Sequence, residues 1–215
     1  MTSTLTTGPA RRVLRAAAAT GVAAVALGVM PASAGAAPQA ADAGTAQAAA
    51  AKSYTYLSYK KNVKDPTNSR LSLVYVQVVN PDKVRTYTVD SWRAGSGLGG
   101  KKGSVGQNEC ASSRGWLPNG SYNVEFFRSN YSGRINGIVW KLSNHKCKTG
   151  KVTRTELFIH SEMKSNGKPG STESTRWDGN SDYKSEGCIK LKPADVRELK
   201  GYRSNYPLPQ KLYVS

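Results

Sequence analysis

The sequence predicts a mainly β domain with one short helix near its end. Five stretches between residues 71 and 160 are rich in β-branched and aromatic residues, and each is bounded by Gly, Asn, Pro or Ser. The first two are separated only by the turn residues Asn80-Pro81-Asp82. A single segment, Pro193 to Gly201, carries helix start and stop signals.

Taken in order, "LSLVYVQVV" (71–79) and "KVRTYTVDSW" (83–92) form the expected hairpin. The glycine-dense stretch 93–108 follows as a loop; it lacks both G-x-G-x-x-G and G-K-[ST], which excludes a phosphate cradle. "SYNVEFF" (121–127), "INGIVWKL" (135–142) and "TELFIH" (155–160) are the next strands. Residues 161–184, with Trp177, form a polar loop long enough to be functional. In the helix, Pro193 and Asp195 suit the first turn, Gly201 is a natural stop, and Val196 and Leu199 face inward.

Charge and export narrow the function. The 215 residues carry 31 Lys+Arg against 14 Asp+Glu, a formal net charge of +17. Residues 1–36 read as a secretory signal: Arg11, Arg12 and Arg15 precede an apolar run from Ala16 to Met30, and small residues at Ala32-Ser33-Ala34 or Ala34-Gly35-Ala36 fit cleavage. That run is too short to span a membrane, and Arg11-Arg12 before Val13-Leu14 also suits a twin-arginine signal. Its removal takes away three positive charges and leaves a strongly basic chain. Residues 37–52 read as a flexible leader, and 53–215 as one domain with its own core. The expected mature protein is a secreted, extracellular monomer with no membrane span, associated with the cell wall. Nucleic acid is not the expected partner, because Lys and Arg are scattered rather than clustered with aromatics on one helix. Anionic wall polymers are the expected counter-surface, although solubility accounts for the charge equally well.

Three cysteines in an exported chain allow one disulfide and leave one thiol. Three pairings are open; Cys110 with Cys147 is favoured, since both lie in polar loop sequence, whereas Cys188 sits at a strand–helix junction in "SEGCIKL". A nucleophilic thiol needs a base. Of two histidines, His145 lies in a polar turn, whereas His160 ends the apolar strand "ELFIH". His160 precedes Cys188, the reverse of the papain-like order. Gly187 permits a tight backbone in which the Gly187 and Cys188 N–H groups converge on one oxyanion, and Ser185 can stabilise the loop. His160 and Glu162 do not form H-E-x-x-H and no third ligand is at hand, so neither a metal nor a cofactor is expected. A sortase would need Thr-Leu-x-Thr-Cys, which "SEGC" does not match.

"FIHSEM…SEGCIKL" resembles the active-site signature of the L,D-transpeptidase (YkuD-type) catalytic domain. "RGWLPNGSYNV" (114–124) is similar to that family's Thr-Pro-x-Gly-x-Tyr segment, and the 71–92 hairpin to its opening hairpin. The resemblance implies a mixed β-sandwich and a thiol acyl transferase acting on peptidoglycan stem peptides, with terminal D-alanine released and a neighbouring amine acylated. It makes Cys188 the nucleophile, His160 the base and later acid, and Ser161 the residue whose backbone carbonyl orients His160. Gly187 then belongs to the oxyanion hole, and Ser185, Glu186 and Lys190 to substrate binding. Glu186 replaces the family's second His and Lys190 its Arg or Asn, and the His–Cys loop is longer than usual. Hydrolysis of the same thioester, or a silent wall-binding protein with this fold, are the alternatives.

Overall fold

The computed structural model describes residues 52–215. The expected signal segment and all but the last residue of the leader lie outside the described residues. The described chain forms strands β1 (Tyr54–Lys60), β2 (Ser69–Asn80), β3 (Lys83–Ala94), β4 (Gly120–Ser132) and β5 (Asn136–Leu142). The short strands β6 (His145–Lys146), β7 (Thr153–Arg154), β8 (Phe158–His160) and β9 (Ile189–Lys190) follow, then helix α1 (Pro193–Gly201) and strand β10 (Lys211–Val214). The fold is therefore mainly β, with one large mixed sheet and one short α-helix among the described residues.

Eight strands make the large sheet in the order β3-β2-β1-β10-β4-β5-β8-β9, while β6 and β7 pair separately. The β1–β10 and β8–β9 pairs are parallel and the other pairs of the large sheet antiparallel. Strand β4 belongs to two neighbourhoods. Residues Gly120 to Asn123 pair with β10, and Val124 to Ser132 pair with β5 through two irregularities. Such bulges bend a strand and raise its twist. Beyond β3, Gly95 exchanges two backbone hydrogen bonds with Lys190, each 2.9 Å, which joins the two ends of the sheet. A side chain on Gly95 would collide with the Tyr183 backbone, so that approach needs glycine.

Alternation along the strands builds the core. Leu57 and Tyr59 of β1, Leu71 and Leu73 of β2, Trp140 of β5, Ile159 of β8, Ile189 of β9 and Leu212 of β10 converge in one cluster. Val196 and Leu199 of α1 join it, as their spacing predicts. Two side-chain hydrogen bonds tie this end of the chain to β3: Trp92 Nε1 donates to Glu198 Oε2 at 2.9 Å, and the Tyr202 hydroxyl to Asp90 Oδ2 at 2.8 Å. The α-helix ends at Gly201, as the sequence predicts, but not through a left-handed glycine cap. That glycine keeps helical angles (φ −60°, ψ −35°), and the chain runs on as a 3-10 turn over Tyr202–Ser204.

Cys110 and Cys147 form the disulfide, with Cα atoms 5.1 Å apart, and Cys188 is the free thiol. The bridge joins the β6–β7 hairpin to the loop before β4. Closing a loop over a separation of 37 residues stabilises a fold by about 4 kcal/mol in the chain-entropy account. The Cys110→Ala/Cys147→Ala variant is therefore expected to melt roughly 8–16 °C lower than the parent by scanning calorimetry. An unchanged midpoint would show that the bridge constrains only local geometry.

Candidate active site

The pairing of β8 with β9 builds the site. Ile159 lies beside Ile189 and His160 beside Lys190 in parallel register. Both isoleucines are fully buried in the core. Because side chains alternate along a strand, the residues on either side of them turn the opposite way. Phe158, His160, Cys188 and Lys190 accordingly line one cleft of about 530 Å³, together with Tyr131, Arg134, Arg154, Glu156, Ser161, Glu162, Ser185 and Glu186.

His160 is held from one side. Its Nδ1 lies 3.0 Å from the Ser161 carbonyl oxygen, which can only accept, so Nδ1 carries the proton and Nε2 keeps its lone pair. Burial and the neighbouring Lys190 ammonium pull the imidazole down to about pH 4. It is therefore neutral at pH 7. Burial pushes the Cys188 thiol up to about 11, against the opposing pull of a backbone hydrogen bond from Phe158 and of the cations Lys141, Lys190 and Arg154. The residue keeps partial exposure toward the cleft, and its thiol donates to the Glu156 carbonyl at 3.5 Å. Glu156 adopts φ 51°, a left-handed conformation unusual for a residue with a side chain. At rest the pair is thus thiol plus neutral imidazole, with the thiol directed to Glu156 rather than to His160.

The Cys188 loop is organised from within. Ser185 Oγ donates to the Cys188 carbonyl at 2.6 Å and accepts the N–H groups of Gly187 and Gly97 at 3.1 and 3.2 Å. Ser185 is a loop brace at the cleft wall. The Gly187 N–H, expected in an oxyanion hole, is engaged by that hydroxyl, whereas the adjacent Cys188 N–H enters none of these bonds. Gly187 stands at φ 127°, and a side chain there would run into Arg154 Nη2. Only glycine fits.

Glu186 and Lys190 face different ways. Glu186, at the cleft wall, pairs with Arg134 2.8 Å away, with both side chains largely exposed, so its charge is answered by a guanidinium. Lys190 makes a short ion pair with Glu162 Oε1, with side chains only 9 % and 13 % exposed. Burial raises the Glu162 carboxyl above its ordinary value even though Lys190 opposes this. The Trp177 ring, from the 161–184 loop, lies 6.0 Å from Lys190 Nζ. Two buried cleft atoms have no hydrogen-bond partner among the described residues: Ser161 Oγ and Glu162 Oε2. His145, the other histidine, packs on the Tyr122 ring at 4.5 Å and bonds the Asn119 carbonyl, outside the cleft.

The sequence did not point to Arg154, Glu156 or Glu162. Arg154 occupies a two-residue strand with no motif, and Glu156 is distinguished only by its backbone. Glu162, two residues from His160, enters the sequence reading only as a metal ligand that the spacing rejects. Among the described residues, no cluster of three or more His, Cys, Asp or Glu is placed to hold a metal ion. Compared with known proteins, the chain matches no family model, no curated protein and no solved structure.

The neutral His160 has a thermodynamic signature. Between pH 6.5 and about 4 the unfolded chain takes up a proton that the folded imidazole refuses. Stability from this group is complete above pH 6.5 and declines as pH falls through that window, by roughly 3 kcal/mol. Urea midpoints measured at pH 7 and pH 4 are expected to differ less in His160→Gln than in the parent; equal pH dependence would place the imidazole in contact with water.

Proposed function

We propose that this chain is a cysteine acyl transferase of the L,D-transpeptidase type, acting on peptidoglycan stem peptides outside the cell. One observation carries the reading: His160 and Cys188 share the cleft-facing side of two paired parallel strands, with the imidazole oriented by the Ser161 carbonyl. That is the constellation which the sequence resemblance assigns to a nucleophile and its base.

The reaction starts from the neutral pair. The Cys188 thiol leaves the Glu156 carbonyl and passes its proton to His160 Nε2 as sulfur attacks the carbonyl carbon before the terminal D-alanine. The oxyanion forms beside the Cys188 N–H and among the cations near Cys188, Lys141, Lys190 and Arg154. Collapse breaks the C–N bond, His160 returns the proton to the departing amine, and D-alanine leaves a thioester on Cys188. A primary amine of a neighbouring stem then attacks the thioester, the C–S bond breaks, and the sulfur regains a proton. Ser161 Oγ and Glu162 Oε2, buried and unpartnered, offer one hydroxyl and one acceptor to the peptide groups of the substrate. The basic surface suits a carboxylate- and phosphate-bearing wall.

Intact-mass spectrometry of the protein mixed with a disaccharide tetrapeptide tests the reading. The parent is expected to gain the mass of the donor minus alanine, and Cys188→Ala to gain nothing. His160→Ala should fold and acylate at least about a hundredfold more slowly at neutral pH. Released cross-linked product would identify transfer, and released tripeptide hydrolysis. Binding to sacculi with no adduct would make this a wall-binding protein and end the catalytic reading.

A further inference from the structure

Three cations stand near Cys188, and they are not equivalent: Arg154 and Lys190 line its cleft, and Lys141 approaches Glu156, whose carbonyl accepts from the thiol. Lys141 of β5 has the carboxylates of Glu125 and Glu156 at 3.8 and 3.9 Å, and Lys190 of β9 is paired with Glu162. Arg154 of β7 has no carboxylate partner among the described residues. Its guanidinium, in a residue 3 % exposed, donates instead to four backbone carbonyls: Nη1 to Glu109 and Trp116 at 2.8 and 3.3 Å, and Nη2 to Gly115 and Glu186 at 3.1 and 2.9 Å. Three of those carbonyls belong to the loop before β4. The fourth belongs to the Cys188 loop, two residues before that cysteine. Other groups near Cys188 are the neutral His160, the Phe158 backbone N–H, the Glu156 carbonyl and Glu186, which is paired with Arg134.

A buried guanidinium whose four hydrogen bonds all end on neutral carbonyls keeps its charge uncompensated. Carbonyl dipoles hold it in place but cannot neutralise it. Cys188 lines the same cleft, one residue beyond the Gly187 that the guanidinium abuts, and a charge fixed before the reaction stabilises negative charge developing there without reorganisation. We infer that Arg154 is a positioning residue of this site: its fork clamps the Glu186–Gly187–Cys188 backbone to the loop before β4, and its unpaired charge stabilises the Cys188 thiolate. The inference rests on Cys188 being the nucleophile of the proposed reaction, but its main readout needs no peptidoglycan. Gly187 is part of the same device, since a side chain there would displace the guanidinium. So is the disulfide, because Cys110 follows the acceptor Glu109 and Cys147 adjoins the strand paired with the one that carries Arg154.

Alkylation of Cys188 by iodoacetamide tests this, since the other two cysteines are bridged. Rates are followed by intact mass from about pH 6 to 10 in the parent, Arg154→Gln and Arg154→Lys, with near-UV circular dichroism as the check on folding. Arg154→Gln is expected to alkylate about tenfold more slowly at each pH, the effect of a one-unit rise in thiol pKa. Arg154→Lys is expected to stay within about threefold of the parent, because it keeps the charge, yet to form acyl-enzyme at least about tenfold more slowly, because an ammonium cannot span four carbonyls. A parent-like profile in Arg154→Gln overturns the charge role, as does a folded Arg154→Lys no faster than Arg154→Gln. Parent-like acylation in Arg154→Lys overturns the clamp. If Arg154→Gln does not fold, Arg154→Lys decides alone; if neither folds, Arg154 is structural and the inference fails. A parent that alkylates as described but never acylates would sink the proposed function and leave the charge role of Arg154 standing.

Discussion

The parallel pairing of β8 with β9 is the constraint on which the rest of the site depends. It holds only two residue pairs, yet it sends Ile159 and Ile189 into the core and His160, Lys190, Phe158 and Cys188 into the cleft. A slip of one residue in either strand would bury its charged or polar groups and expose its isoleucine. The register is therefore fixed by the hydrophobic core, and the chemistry inherits that register. The bridge from Lys190 to Gly95 secures β9 on its other side, so the strand that follows the Cys188 loop is held between the two ends of one sheet.

Electrostatics in the cleft oppose a resting thiolate–imidazolium pair. Burial lowers His160 and raises Cys188, and both shifts favour the neutral forms. This differs from cysteine enzymes that keep a thiolate ready beside a protonated imidazole. In the proposed reaction such a pair relies on proton transfer during attack, and on cations that gain their partner only when sulfur or oxygen becomes negative. Lys190 contributes less than its position implies, since Glu162 already answers its charge. Glu186, which on sequence grounds threatens the thiol, is paired with Arg134.

The Cys188 loop draws its rigidity from several small interactions. The Ser185 hydroxyl bonds three backbone groups, Arg154 bonds the Glu186 carbonyl, and Ser96 Oγ donates to the Gly187 carbonyl at 3.1 Å. Each such bond contributes only about 1 kcal/mol net. Together they hold a positive-φ glycine and leave the Cys188 N–H open.

Much of this was legible in the chain alone. The central strands, the β2–β3 hairpin and the start of α1 followed from alternation, Asn80-Pro81-Asp82 and Pro193, because those signals act over a few residues. The free thiol followed from three cysteines and their contexts. What the sequence could not show are features made between distant residues. Strands β1 and β10 pair from opposite ends of the described chain, Leu57 with Leu212, so neither carries a local turn signal naming its partner. Arg154 has no neighbouring motif; its role exists only where the loop before β4, the disulfide and the Cys188 loop meet. The sequence by itself determined which residues are able to react, since a side chain's chemistry travels with its type. The tertiary structure alone decided their protonation, their partners and the direction in which each one points, because burial and charge proximity are properties of packing.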